Sequence, residues 1–286
     1  MRTPRALAAA AVGLAALTAI ISTAPAYAST RAAAPAPSPE AAAKKIVVYY
    51  DINYDNFSLG HGAIRSNTIP SRDCKPLTEN GKMPTKKVWQ DLVKKNNTNP
   101  GPFVLDCENL SLTGTSGTVK QYDQISQLQA WTREVAPAGQ VIGWYPYAAT
   151  ATDNASQEAY RKLIAQDKNT AFFPGIYNST MSGVTDAQWL DTLKARYKNT
   201  KAIDPTIPVY FYLSPQWLGG VPNHPRESWV TAQRWNFEMQ SVLDSGADGF
   251  VIWGKTWFCE GDCVKGAKGP WFAATQAFLD KHVKQG

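Results

Sequence analysis

Phe103-Val104-Leu105-Asp106-Cys107-Glu108 is a short apolar run that leads directly into two carboxylates. The preceding Asn99-Pro100-Gly101-Pro102 breaks any helix, so the run predicts a buried strand that ends in open space. Because side chains alternate along a strand, we expect Asp106 and Glu108 on one face and Cys107 on the other. Two carboxyl groups ~7 Å apart at the mouth of a pocket perturb each other, and one of them tends to stay protonated as an acid. Asp106 and Glu108 are therefore the candidate catalytic pair.

Apolar strands and amphipathic helices alternate along the rest of the chain. Repeated strand–helix units imply parallel strands with crossover helices, and strands that are apolar throughout are buried on both faces. The sequence therefore predicts an α/β fold, a single (β/α) TIM-like barrel with either a distorted or a seven-stranded closure. A capping box at Thr185–Gln188 predicts one helix start, and Gly246 predicts a helix end. The predicted strands are 46–50, 103–108, 141–147, 171–177, 208–213 and 249–253, and the predicted helices are 82–95, 119–135, 155–168, 187–198, 229–243 and 271–283.

The N-terminal part of the chain differs in composition from the remainder. Residues 1–28 have a basic start, an apolar core and the cleavage site Ala26-Tyr27-Ala28, which is the pattern of a secretory signal peptide. An uncleaved membrane anchor is disfavoured because the apolar run is short for a span. Residues 29–44 are rich in Ala, Pro and Ser, which predicts a disordered linker. We expect a secreted, extracellular protein in which residues 45–286 form one barrel domain without a membrane span.

Charge and motif content disfavour several classes of protein. The net charge of +6 is compatible with a polyanionic partner but does not establish one. The chain has no Lys/Arg-rich run and no zinc-finger spacing, so we expect no nucleic-acid partner. Gly-x-Ser-x-Gly, His-Glu-x-x-His, Gly-x-Gly-x-x-Gly and phosphate-loop motifs are absent from the sequence. Because the chain has only 3 His, a His-centred mechanism is disfavoured, and we expect no metal and no cofactor.

The 4 cysteines allow three disulfide pairings once the protein is exported. Cys259-Glu-Gly-Asp-Cys263 suits a tight closed loop, which leaves Cys74 to pair with Cys107. The second pairing needs a loop within residues 67–80 that folds over the barrel rim to the end of the acidic strand. The alternative is a pair of buried free thiols at Cys74 and Cys107. Zinc is disfavoured because Cys-x3-Cys with scattered His is a poor ligand spacing.

The ends of the predicted strands carry acidic and aromatic side chains. In barrels of this type the active site lies at the carboxyl ends of the strands. Aromatic rings stack on the apolar faces of sugars, and a carboxylate pair suits glycosidic cleavage: one acid protonates the leaving oxygen and a second group stabilises the developing positive charge. The candidate substrate-binding residues around Asp106 and Glu108 are Asp51, Tyr145, Tyr147, Tyr177, Tyr212 and Trp253.

The same segments resemble the hyaluronidases, glycoside hydrolase family 56. The resemblance spans residues 46–254 and is most specific in Val104-Leu-Asp-Cys-Glu108 and Gly246-Ala-Asp-Gly-Phe-Val-Ile-Trp-Gly254. It implies a barrel enzyme with a retaining, substrate-assisted mechanism. Glu108 is then the acid/base, and Asp106 holds the acetamido group of the substrate as that group acts as internal nucleophile. The pocket residues that the resemblance implies are Tyr177, Trp253 and either Tyr145 or Tyr147.

Two other functions are compatible with the same residues. A glycosidase of another family would use Asp51 as its second carboxylate. A non-catalytic barrel would bind glycans or cell wall without cleaving them. The hyaluronidases have Trp-Arg-Pro after their Glu, and this chain has Asn109-Leu110-Ser111, so a polysaccharide other than hyaluronan stays open as the partner. We expect the protein to be a monomer.

Overall fold

The computed structural model of the chain describes residues 45–52, 57–112, 121–219, 221–225, 228–254 and 269–283. The predicted signal peptide (1–28), the predicted linker (29–44) and the predicted Cys259–Cys263 pair lie outside the described residues. Within the described ranges, no helix is both long and apolar enough to cross a membrane.

Strands and helices alternate along the described residues. The strands are β1 (Val47–Ile52), β2 (Ile64–Arg65), β3 (Asn67–Ile69), β4 (Phe103–Leu105), β5 (Ile142–Trp144), β6 (Tyr210–Leu213) and β7 (Gly249–Gly254). The α-helices are α1 (Ser71–Thr78), α2 (Lys86–Asn96), α3 (Tyr122–Arg133), α4 (Asn154–Gln166), α5 (Asp186–Ile203), α6 (Ala232–Asp244) and α7 (Pro270–His282). Short 3-10 turns span Glu79–Gly81 and Tyr147–Thr150.

The strands pair in parallel and follow one another around a TIM-like barrel. One sheet has the order β2-β1-β7-β6 and the other β3-β4-β5. β2 and β3 are separated only by Ser66, so this edge leads from one sheet into the other. On the opposite side, within the described part of the chain, the sheets meet only through isolated parallel bridges, which join Ile142 with Thr170, Phe172 with Val209, and Gly175 with Tyr212. The barrel is therefore distorted rather than closed as one regular sheet, and the predicted fold class is confirmed.

Four predicted strands are shorter or less regular than expected, and one of them, predicted over 208–213, begins at Tyr210 as β6. The segment predicted as strand 171–177 pairs only through these bridges, because Pro174 lacks the N–H that a ladder needs. β4 ends at Leu105 and not at residue 108, because the N–H of Leu110 donates to the carbonyl of Cys107 (2.8 Å) and closes a turn there. β5 ends at Trp144, two residues before Pro146, which also lacks an N–H.

Alternation along the strands divides the core into an inner and an outer part. On β4, Val104 packs inside the barrel, whereas Phe103 and Leu105 pack outward with the helices. Gly143 on β5 leaves space for an inner aromatic ring, since a Cβ at this position would lie 2.5 Å from the ring of Phe173. Residues that fill the inside of the barrel are Tyr49, Val104, Ala171, Phe173, Tyr210, Tyr212 and Val251. The inner side chains towards the carboxyl ends of the strands then form the floor of the site.

The six predicted helices are present as α2 to α7, with ends shifted by a few residues. The capping box at Thr185 is formed, with reciprocal hydrogen bonds between Thr185 and Gln188. Gly246 follows α6 with φ of 90°, the left-handed conformation that ends helices and favours glycine. Both predicted helix boundaries are therefore confirmed.

The predicted loop over residues 67–80 is wrong, because this stretch holds β3 and helix α1. β3 has only 3 residues and is stabilised by pairing with β4 rather than by its own composition. α1 contains Pro76 and buries only Cys74 and Thr78, so it lacks the apolar periodicity that predicts a helix.

Candidate active site

A cavity of about 780 Å³ lies at the carboxyl ends of the strands. Asp51, Asp106 and Glu108 all line it, so the structure brings the three predicted carboxylates together. The aromatic side chains that line the cavity beside them are Tyr145, Tyr177, Tyr212 and Trp253. Tyr147 begins the 3-10 turn Tyr147–Thr150, and its side chain lies outside the structural description.

The end of β4 directs the two acids into the cavity. The N–H of Asp106 donates to the carbonyl of Ile69 (3.0 Å), so the chain keeps the direction of the strand for one more residue. The turn that begins at Cys107 then carries Glu108 to the surface. Asp106 is half-buried, Cys107 is buried and Glu108 is exposed. The two carboxylates therefore reach the cavity at different depths, and Cys107 points away from it.

The N-terminus of helix α1 approaches the deeper acid. The backbone N–H of Ser71, the first residue of α1, donates to Oδ2 of Asp106 over 3.4 Å. Amide groups at a helix N-terminus stabilise a neighbouring negative charge. This contact favours Asp106 in its carboxylate form.

Asp51 lies on the floor of the cavity. It belongs to β1, is paired in register with Trp253 of β7, and is 9% exposed. The Thr68 hydroxyl on β3 donates to Oδ2 of Asp51 over 2.8 Å. Asp51 is thus more buried than Glu108 and is oriented by a neighbouring strand.

Three tyrosine rings form a continuous aromatic wall with Trp253. Ring centroids lie 5.0 Å apart for Tyr145 and Tyr212, 6.3 Å for Tyr145 and Tyr177, and 5.4 Å for Tyr177 and Trp253. The edge-on and tilted arrangements are those that aromatic pairs prefer. The wall places three hydroxyl groups and an indole face beside the carboxylates.

Burial raises the pKa of each of these tyrosines. For Tyr145 the Asp106 carboxylate adds to the effect of burial, and Glu108 adds less. Burial raises the pKa of Tyr177, with further contributions from the other two tyrosines, and the pKa of Tyr212, with further contributions from Asp51 and Asp106. The three hydroxyls therefore keep their protons at neutral pH.

Tyr145 also depends on residues that the sequence reasoning missed. A Cβ at Gly175 would lie 3.0 Å from the Tyr145 hydroxyl, so glycine leaves the room that this side chain occupies. Arg196 of α5 donates a hydrogen bond to the carbonyl of Gly175. The roles of Thr68 and Ser71 were not predicted either, because each acts through a contact between separate elements that no local sequence pattern indicates.

The cavity also carries polar and cationic side chains. Arg65, Arg72 and Lys95 line it, together with Asn96, Thr98 and Asn99. Among the described residues, no group of three or more His, Cys, Asp or Glu side chains is arranged to hold a metal ion. The cavity thus combines acidic, aromatic, polar and basic side chains.

Cys74 and Cys107 form a disulfide with a Cα–Cα distance of 5.5 Å, which confirms the predicted pairing. Cys74 supplies its sulfur from helix α1 and not from the expected loop. Both cysteines are 0% exposed. The bond fastens α1 to the residue that separates the two candidate acids.

Removing this disulfide should lower the stability of the protein. The sequence separation is 33 residues, and closure of a loop of this length restricts the unfolded chain by about 3–4 kcal/mol. We expect the free energy of unfolding of the double variant Cys74→Ser, Cys107→Ser to fall by about this amount in urea denaturation. A double variant within ~0.5 kcal/mol of the parent chain would contradict the prediction.

Comparison with known proteins shows the fold of the chain. No family model and no curated protein sequence matches it. Bee venom hyaluronidase matches with a TM-score of 0.61 and 13% identity, over 81% of this chain and 100% of that chain. Bee venom hyaluronidase in complex with a hyaluronic acid tetramer matches with a TM-score of 0.57 and 13% identity, over 81% of this chain and 99% of that chain.

A more distant match is the endo-1,4-β-D-mannanase of Thermotoga petrophila RKU-1, with a TM-score of 0.44 and 13% identity, over 76% of this chain and 75% of that chain. Similarity at that level supports no inference. The match to bee venom hyaluronidase confirms the expected resemblance at the level of the barrel fold.

Proposed function

We propose that this chain is a glycoside hydrolase that cleaves a polysaccharide by acid/base catalysis, with Glu108 as the acid/base and Asp106 as its partner. The observation that carries the proposal is the Asp106–Glu108 pair, which lines a cavity of about 780 Å³ together with an aromatic wall. The shared fold with bee venom hyaluronidase, whose structure includes a complex with a hyaluronic acid tetramer, supports a polysaccharide as the substrate.

The different depths of the two acids suit different roles. Glu108 is exposed at the cavity mouth, where its carboxyl proton can pass to the leaving oxygen as the glycosidic bond breaks. Asp106 is half-buried beside a helix N-terminus, and in the proposed mechanism it acts as a carboxylate. In the mechanism that we propose, Asp106 accepts a hydrogen bond from the N–H of an acetamido group on the substrate. The carbonyl oxygen of that group bonds to the anomeric carbon as the glycosidic bond breaks.

The second half of the reaction returns the site to its starting state. Glu108, now a carboxylate, takes a proton from water, and the water oxygen bonds to the anomeric carbon while the bond to the acetamido oxygen breaks. The configuration of the sugar is retained because the anomeric carbon is attacked twice. The Tyr145 hydroxyl, which keeps its proton, donates a hydrogen bond to the sugar, and Trp253 offers an apolar face for stacking. Every step uses side chains that line the cavity.

Release of reducing ends is the result that we expect from the purified chain. A panel of polysaccharides with and without N-acetylhexosamine should be incubated with the protein, and reducing sugar should be measured over hours. We expect cleavage only of polymers that carry acetamido groups. A bound polysaccharide with no reducing ends released would instead identify a non-catalytic glycan- or wall-binding barrel.

The cationic side chains of the cavity favour a substrate that carries negative charge. Arg65, Arg72 and Lys95 line the cavity, and cationic side chains attract anionic groups over distances of ~10 Å at ~0.1 M salt. We therefore expect kcat/KM to be higher on an anionic polysaccharide than on its neutral counterpart, and to fall as salt rises. Lys95→Gln should raise KM about two- to five-fold, the range of one exposed ion pair. Lys94→Gln, on the same helix but outside the lining, is the matched control.

We further propose that the protein is secreted and that residues 1–28 are its signal peptide. The Cys74–Cys107 disulfide supports this, because such bonds persist in oxidising compartments outside the cytosol. N-terminal sequencing of the protein from culture medium tests it, with a start at Ser29 as the expected result. An exported protein that begins at Met1 would contradict the proposed cleavage.

A further inference from the structure

Helix α1 contacts residues 106–109, the segment that carries the two acids, at each of its turns. At the first turn the N–H of Ser71 donates to Asp106, and in the middle Cys74 is bonded to Cys107. At the last turn Nδ2 of Asn109 donates to Oγ1 of Thr78 over 3.0 Å. Successive positions of the helix thus hold successive residues of the segment, on both sides of Glu108.

Asn109 is fixed from a second side as well. Nε2 of Gln121, just before α3, donates to the carbonyl of Asn109 (3.3 Å), and Oε1 of Gln121 accepts the N–H of Ser111 (2.9 Å). Thr78 is itself anchored, because its hydroxyl donates to the carbonyl of Cys74 (2.9 Å). Its carbonyl accepts Nε2 of Gln124 over 3.0 Å.

The residues on either side of Glu108 are therefore fixed by contacts, although the Glu108 side chain itself is exposed. Thr78 and Cys107 are both 0% exposed, whereas the Glu108 side chain is exposed on a turn. A side chain on an exposed turn has many conformations, and each added conformation lowers the fraction of time in which an acid is placed for proton transfer. Anchoring the residues on both sides of Glu108 restricts its backbone without covering its carboxyl group.

We propose that Thr78 and Asn109 are positioning residues, and that helix α1 fixes the turn which carries Glu108 through their hydrogen bond. This inference rests on the proposed glycosidase function. Neither side chain needs to contact substrate, since both act through the backbone on either side of the acid. Their removal should lower kcat and leave KM nearly unchanged.

Thr78→Val tests the proposal, because valine keeps the shape of threonine and removes the hydroxyl. We expect kcat to fall about 10–100-fold, the scale of a small misplacement of a reacting group, with KM changed less than about two-fold. Thr78→Ser keeps a hydroxyl and should restore most of kcat. In the Asn109→Ala background, Thr78→Val should have little further effect, since the two residues share one hydrogen bond.

Thr132→Val is a matched control for a purely structural effect. Thr132 is also 0% exposed, its hydroxyl donates to the carbonyl of Leu128 four residues earlier (2.8 Å), and it accepts Nε1 of Trp89 (2.9 Å). It lies on α3, outside the cavity lining. We expect similar decreases in Tm for the two Thr→Val variants, but a loss of kcat only for Thr78→Val.

The possible outcomes separate this inference from the function on which it rests. An active parent chain whose Thr78→Val variant keeps its kcat, or loses no more than Thr132→Val, overturns the positioning role. Should Thr78→Val fail to fold, equal kcat for Asn109→Ala and the parent chain overturns it instead. A parent chain that releases no reducing ends from any polysaccharide contradicts the proposed function itself.

Discussion

Replacing Glu108 with Gln should reduce turnover by about 10²–10⁴-fold while the chain keeps its fold. The amide has nearly the shape of the carboxyl group but holds no proton that it can pass to a leaving oxygen. Because the Glu108 side chain is exposed, the substitution does not disturb the packed core. We therefore expect the melting temperature to stay within a few degrees of the parent value.

The leaving group of the substrate identifies the step that Glu108 performs. In an aryl glycoside whose leaving group is an acidic phenol, the phenolate departs without protonation. Cleavage of such a substrate should therefore be impaired far less by Glu108→Gln than cleavage of a polysaccharide. Glu158→Gln is the matched control, because Glu158 lies on α4, has a side chain that is 55% exposed, and is outside the cavity lining. Unchanged turnover of polysaccharide by Glu108→Gln would rule out the assignment.

Asp51 distinguishes the proposed mechanism from a glycosidase with a different second carboxylate. If Asp51 were the partner of Glu108, Asp51→Asn would reduce turnover as much as Glu108→Gln, and substrates without an acetamido group would be cleaved. In the mechanism that we propose, Asp106→Asn reduces turnover more than Asp51→Asn does. Asp51 lies on the buried floor and accepts the Thr68 hydroxyl, which the Asn side chain can still accept through its carbonyl oxygen.

The features that the sequence predicted are those encoded over a few consecutive residues. The apolar run that ends at Leu105 predicts a buried strand, and the alternation beyond it correctly separates Cys107 from the two acids. The Thr185 capping box and Gly246 are equally local. These signals sufficed for the barrel and for the position of the acid pair within it.

The features that the sequence did not predict depend on contacts between distant segments. α1 contains a proline and buries only two side chains, so its position depends on the disulfide to Cys107 and on Thr78, which no periodicity reveals. Two hydrogen bonds also depend on the folded barrel. Thr68 contacts Asp51, and Arg196 contacts Gly175, only after the barrel has formed. The raised pKa values of the tyrosines likewise result from burial, which the composition of the chain does not determine.

A buried ion pair behind Tyr177 is another such feature, and it leads to a second large effect. Glu238 of α6 is 0% exposed and Arg234 is 8% exposed. Arg234 Nε donates to Glu238 Oε1 (2.6 Å), and Asn178 donates from Nδ2 to Glu238 Oε2 (3.1 Å). Arg234 also donates to Oδ1 of Asn178 (3.0 Å) and to Asp186 of α5. Because Asn178 directly follows Tyr177, the pair fastens the aromatic wall to α6.

The carboxyl group of Glu238 titrates far from its usual range. Burial raises its pKa from 4.5 to about 7, although the charge of Arg234 acts in the opposite direction. In the unfolded chain a glutamate titrates near ~4.3. Between these values the folded state binds more protons than the unfolded state, so the contribution of Glu238 to stability is complete below pH ~4 and is lost as pH rises through about 7.

Replacing Arg234 with Met should lower the free energy of unfolding by about 3–5 kcal/mol at pH 8, and by less at pH 5. Without its cation, Glu238 must either stay charged in an apolar interior or bind a proton, and proton binding becomes less favourable as pH rises. Urea denaturation at the two pH values measures both quantities. Adding Glu238→Leu should recover much of the loss at pH 8, because no unpaired charge then remains buried.

Lys87→Met is the control, since Lys87 forms an exposed pair with Asp91 at 2.5 Å and such pairs contribute less than ~1 kcal/mol. We expect its effect to be small and equal at both pH values. If Arg234→Met lowered stability equally at pH 5 and pH 8, the added loss could not come from the ionisation of Glu238. In that case the packing of the Arg234 side chain on Trp189, 5.4 Å from its ring centre, would be the main contribution of this residue.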